Sequence, residues 1–111
     1  MTKVIAVIAA HADDEVLGCG GTIVKFVKEG CQVHVLLLAD GETSRSDLDP
    51  KDHDEAQKLR NKAAMCANGI LGTTSLKMLN FPDNRMDGVD LLDVVKAVEA
   101  FIVEHRPNVV I

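Results

Sequence analysis

Apolar positions along this chain alternate between two textures. Residues 3–10, 32–39, 76–80 and 108–111 are short, mainly apolar runs, and 32–39 is apolar on both faces. Runs of that length and character suit strands buried in a parallel sheet. Between them lie segments with apolar residues at helical spacing. Residues 16–29 place Val16, Ile23, Phe26 and Val27 along one side and meet a natural stop at Gly30. Residues 55–68 form a second helical segment closed by Asn68-Gly69. Residues 89–105 form a third, with Leu91, Leu92, Val95, Val98 and Ile102 as its stripe and Pro107 as its breaker. Residues 40–54 are polar and charged without apolar periodicity, and read as a long loop. Loops of that length are often functional lids. Residues 81–85 read as a turn. The order β-α-β-α-β-α-β predicts an α/β fold, a mostly parallel sheet with right-handed crossovers.

Composition narrows this picture. At 111 residues the chain is one small domain, and at 47% hydrophobic it can bury a core. Seventeen Asp and Glu against 12 Lys and Arg give a net charge of -5, with no basic stripe, so nucleic acid is disfavoured as a partner. No run approaches the roughly 20 apolar residues of a membrane span. Met1-Thr2-Lys3 leads into a strand and not into a cleavable leader. The three cysteines, Cys19, Cys31 and Cys66, are odd in number and widely spaced. They read as reduced thiols of a cytoplasmic protein, small core residues like the methionines. The chain stops in or just after an apolar strand. It is therefore expected to be the amino-terminal part of a longer domain.

The chemistry concentrates in His11-Ala12-Asp13-Asp14-Glu15, followed by Gly18-Cys19-Gly20-Gly21. One imidazole and three carboxylates meet where the first strand gives way to a helix. In an open α/β sheet that turn lies at the carboxyl edge, where ligands bind. Carboxylates crowded in a turn repel one another, and a cation relieves the repulsion. Imidazole plus carboxylate is a donor set that suits zinc. The plain alternative is a solvated turn, against which stand the strand-end position, the paired Asp and the glycines. The glycines match a dinucleotide fingerprint poorly, because acids precede them where pyrophosphate would be repelled. Three other histidines could contribute. His34 reads as a packed strand residue. His105 lies at the opposite sheet edge, at the favourable end of a helix dipole. His53, near the start of the second helix, is on the correct edge but reads better as a helix-start residue.

The first strand, the His-x-Asp-Asp-Glu motif and the Gly-rich helix start together resemble the PIG-L-type (LmbE-like) zinc N-deacetylases. Ala12 stands where that family usually has Pro. Ala39-Asp40-Gly41-Glu42, Arg60 with Ile70-Leu71-Gly72, and Phe81-Pro82-Asp83-Asn84-Arg85 follow in the family's order. The resemblance implies the amino-terminal part of an LmbE-like fold, a Rossmann-like three-layer αβα domain spanning residues 1–111. It implies His11 and Asp14 as zinc ligands and Asp13 as the general base acting on metal-bound water. A further His ligand would follow the last strand. Glu42, Arg60 and Asp83 would contact the substrate, an N-acetylglucosamine-type conjugate losing acetate. Glu15 is expected in an outer shell or at the helix start, where negative charge is favoured. Homo-oligomerisation stays open. The rival from another class is a non-catalytic Rossmann-like module that binds a metal or a ligand.

Overall fold

A computed structural model describes residues 2–40, 50–82 and 88–111. Among these described residues seven elements follow in the expected alternation: β1 Val4–Ala9, α1 Asp14–Lys28, β2 Gln32–Asp40, α2 Pro50–Leu71, β3 Ser75–Pro82, α3 Leu91–His105 and β4 Val109–Val110. The four strands form one sheet in the order β3-β2-β1-β4, and all the pairings are parallel. That order reverses direction between β1 and β4. The carboxyl ends of the strands at such a reversal form the crevice where open α/β sheets place their ligands.

Alternation along the strands sorts the core into two layers. Ile5, Val7, Val33, Val35 and Leu37 face one way and pack with Ile23 of α1 and Ala64 of α2. Ala6 and Leu36 face the other way and meet Phe101 of α3, with Ile8, Leu38, Leu79 and Val98 alongside. The molecule is thus a helix–sheet–helix sandwich.

Several boundaries differ from those the sequence predicts. Helix α1 begins two residues early, because Asp14 and Glu15 fit its first turn, where the helix dipole favours acids. Its end is a Schellman closure at Gly30 (φ +84°), with Gly30 N–H on Val27 O and Cys31 N–H on Phe26 O. Helix α2 runs beyond both predicted ends. Pro50 opens it, as proline does where the first-turn N–H has no partner anyway, so residues 50–54 are helical and not loop. It passes Asn68-Gly69 and stops at Gly72, whose φ is +83°. A Cβ at Gly72 would stand 3.0 Å from Val27 Cγ1. Strand β3 continues through Phe81-Pro82, which the sequence read as a turn; a proline at the end of a strand removes no needed hydrogen bond. In α3 the expected stripe is only half right. Leu91, Leu92 and Val95 are exposed, and the helix meets the sheet through Val98 and Phe101 nearer its carboxyl end. Cys66 and Met65 are exposed rather than core, because they lie on the side of α2 away from Ala64.

Candidate active site at the carboxyl edge

Strand β1 delivers its last residues to the carboxyl edge, where Ala39 N–H of β2 still pairs with Ala10 O (2.7 Å). His11 therefore follows directly on the ladder. The next turn is closed by its own side chains. Asp14 Oδ2 accepts the His11 backbone N–H (3.0 Å) and lies 3.4 Å from His11 Nδ1, while Asp14 N–H donates to His11 O (3.2 Å). Imidazole and carboxylate are thus held together, both partly exposed to solvent.

Asp13 takes a different direction. It is the N-cap of α1, but its side chain makes no capping hydrogen bond. Its backbone stands at φ 98°, ψ -36°, a conformation that L residues rarely adopt. It lines a cleft of about 720 Å³ between the start of α1 and the flank of α2. Ala12 and Glu15 share its wall, and Arg60, Ala63 and Ala67 of α2 stand on the other side. The two aspartates of the motif thus differ in setting: Asp14 is held against His11, and Asp13 is among the residues that line the cleft.

Glu15 is fully buried. Burial raises its pKa above the ordinary carboxylate value. Backbone hydrogen bonding at Glu15, the Asn68 amide and backbone hydrogen bonding at Asp13 pull the other way, and the Asp13 charge adds to the rise. Asn68 Nδ2 donates to Glu15 Oε1 (3.3 Å) and to Ala64 O (3.0 Å), and Asn68 Oδ1 accepts the Thr73 hydroxyl (3.1 Å). Glu15 Oε2 has no hydrogen-bond partner.

Of the residues singled out in sequence, His11 and Asp14 come together, and Asp13 and Arg60 line one cleft. Glu42 and Asp83 lie outside the described residues, as does most of the long loop. His53 falls in the first turn of α2, and its side chain is also outside them. His34 and His105 sit at the other edge, packed against each other. The sequence marks Asn68 only as a helix end; its partner Glu15 is 53 residues away, and no local pattern announces such a bond. Zinc fits the His11 and Asp14 pair by donor chemistry, one borderline nitrogen and one hard oxygen side by side. Among the described residues no group of three or more His, Cys, Asp or Glu is gathered to hold a metal.

Comparison with known proteins adds an independent line. Residues 6–111 match the family model PIG-L, described as GlcNAc-PI de-N-acetylase. The chain is 31% identical to the diacetylchitobiose deacetylase of Thermococcus kodakarensis over 98% of its own length and 40% of the relative's. In three dimensions it is similar to the N,N'-diacetylchitobiose deacetylase of Pyrococcus horikoshii, with TM-score 0.85 and 26% identity over 97% of this chain and 39% of that one. It is also similar to the 4-carboxy-2-hydroxymuconate hydratase of Pseudomonas putida, with TM-score 0.84 and 26% identity over 98% of this chain and 46% of that one. The chain thus spans about half the length, or less, of these relatives.

Proposed function

The chain belongs to the PIG-L family, and on that premise we propose that it is the amino-terminal part of a zinc-dependent N-deacetylase that removes acetate from an N-acetylglucosamine-type conjugate. The observation that carries the reading is the division of labour in the turn after β1. His11 and Asp14 form a donor pair, while Asp13, whose side chain makes no capping hydrogen bond, lines a cleft.

His11 and Asp14 would hold the metal. Bound zinc supplies Lewis acidity, lowering the pKa of water to about 7 and polarising the amide carbonyl. The chain's own residues do the rest. Asp13 accepts the proton of the attacking water and returns it to the departing amine, as a general base and then acid. The closure between Asp14 and His11 keeps the donor pair in place without calling on Asp13. Arg60, across the cleft, offers donors to sugar hydroxyls or to a charged group of the conjugate. Glu42 and Asp83 are assigned to the substrate by family resemblance. The protein is read as cytoplasmic, and among the described residues no helix is long and apolar enough to cross a membrane.

The hydratase relative favours a second reading, in which the same edge adds water to a carbon–carbon double bond. Fold alone does not choose between the two reactions. Acetate release from N,N'-diacetylchitobiose, measured on zinc-loaded protein, chooses. Release abolished by His11→Ala supports the deacetylase. No release from any N-acetylated amino sugar, with hydration of an unsaturated carboxylic acid, would replace it.

A further inference from the structure

The Asp13 backbone poses a question that its immediate neighbours answer only in part. A non-glycine residue at φ 98° is strained and persists only where its surroundings over-determine it. On the amino side the restraint is the closure of Asp14 on His11 (3.0 Å). On the carboxyl side it is Glu15, which leaves the exposed turn and buries its carboxyl completely. A carboxyl goes into the interior only with partners. The partner here is Asn68 of α2, itself 2% exposed.

The Asn68 amide has one orientation. Its nitrogen faces two acceptors, Glu15 Oε1 and Ala64 O; its oxygen faces the Thr73 hydroxyl. Thr73 is fixed in turn by its own N–H on Asn68 O (3.1 Å), where α2 ends. A hydrogen-bonded line therefore runs from the carboxyl end of α2 through Asn68 to Glu15, which lies two residues after Asp13. Backbone hydrogen bonding at Asp13 acts on the same carboxyl. Helix α2 also carries Arg60, Ala63 and Ala67, so this line ties one wall of the cleft to the other.

We propose that Asn68 is a positioning residue. Acting through Glu15, it holds the strained Asp13 backbone so that the carboxylate faces the cleft. The proposal rests on the reading of Asp13 as the base. Asn68 touches neither water nor substrate. Its removal is expected to change the reaction step and not binding.

The test uses full-length, zinc-loaded enzyme. Asn68→Ala should lower kcat about 10- to 100-fold, the scale of an ångström-sized misplacement, while KM and zinc content stay within about twofold. In an Asp13→Asn background the same change should cost less than about twofold, because groups acting as one unit do not add. Glu15→Gln, which keeps an acceptor for Asn68, should lose less than Glu15→Ala. Should Asn68→Ala fail to fold, Thr73→Val frees the Asn68 amide more gently and should show the same signature at smaller size. Equal kcat losses in the native and Asp13→Asn backgrounds would overturn the proposal, as would a lowered melting temperature with kcat unchanged. An unaltered kcat in Asp13→Asn alone would instead remove the base, and the tether's catalytic role with it.

Discussion

At the carboxyl edge of the sheet His11 lies 3.4 Å from Asp14; at the amino edge His105 lies 3.8 Å from Glu104 and stacks on His34 with ring centroids 3.8 Å apart. Both edges thus pair imidazole with carboxylate, one in the turn that joins β1 to α1 and the other at the end of α3. Their surroundings differ. At the amino edge His34 is 8% exposed, its Nδ1 bonds the Ser75 hydroxyl (2.6 Å), and Phe101 meets His105 edge-on at 4.6 Å. His34, Ser75, Phe101 and His105 are packed together there, although the Glu104 side chain is 60% exposed; the backbone around His34 is ordinary strand, and the positive φ of Arg106 (48°) beside His105 is the left-handed cap that ends α3. At the carboxyl edge the pair is a third to a half exposed, the neighbouring backbone is strained at Asp13, and a cleft opens beside it. Residue type alone does not mark a reactive site. The more accessible imidazole, the strained helix N-cap and the adjoining cleft set the carboxyl edge apart.

The comparison breaks most visibly in catalysis. Asp13→Asn keeps the size of the side chain but cannot take a proton. Turnover of an N-acetylated amino sugar should fall about 10²- to 10⁴-fold, the usual worth of a general base, with zinc retained. His34→Ala should leave kcat within about twofold. Comparable losses in the two variants would erase the distinction between the edges.

The second break is in stability and has the opposite pattern. His34→Ala removes a buried hydrogen bond and a ring stack, so it should cost about 1–3 kcal/mol. His11→Ala, at a partly exposed position, should cost well under that in metal-free protein. Denaturant midpoints of the two variants in the presence of a chelator decide it. A larger loss at His11 would mean that the carboxyl edge is the structural one.

The two edges were not equally legible in the sequence. The apolar runs disclosed β1 and β2, because strands buried on both faces leave an unbroken hydrophobic signature; at the two edges β3 is only partly buried and β4 is exposed. The His11–Glu15 motif disclosed the carboxyl edge, because its residues are contiguous. Gly30 marked the end of α1 correctly, a local signal for a local structure. Pro50 is a local signal too, but the charged residues around it carry no apolar periodicity, so the start of α2 is obscured. The tether from Asn68 to Glu15 and the stack of His34 on His105 join residues that are far apart in sequence. Each depends on which helix face meets which strand, and periodicity does not fix that. His34 was legible as a packed residue, but its partner was not.

The smallest break is in pH dependence, and it isolates the amino edge. Burial lowers the His34 pKa, the neighbouring His105 lowers it further, and Glu104 raises it slightly. The unfolded chain takes up this proton near pH 6.5, and the folded chain only at lower pH. Between those values the unfolded state binds more protons, so stability falls as pH falls. The contribution of His34 is complete above about pH 6.5 and is lost as pH drops through the lowered folded value. Glu15 acts with the opposite sign. Its raised pKa favours the fold at low pH and costs stability as pH rises through the folded value. In a comparison of the native protein with His34→Phe, the Glu15 contribution is common to both and cancels. The difference in unfolding free energy between the two should therefore shrink from pH 8 to pH 5. Its slope should stay below the one-proton limit of about 1.4 kcal/mol per pH unit. A difference independent of pH would mean that the His34 imidazole titrates as freely in the fold as in the unfolded chain, and that the stack with His105 places no electrostatic constraint on the amino edge.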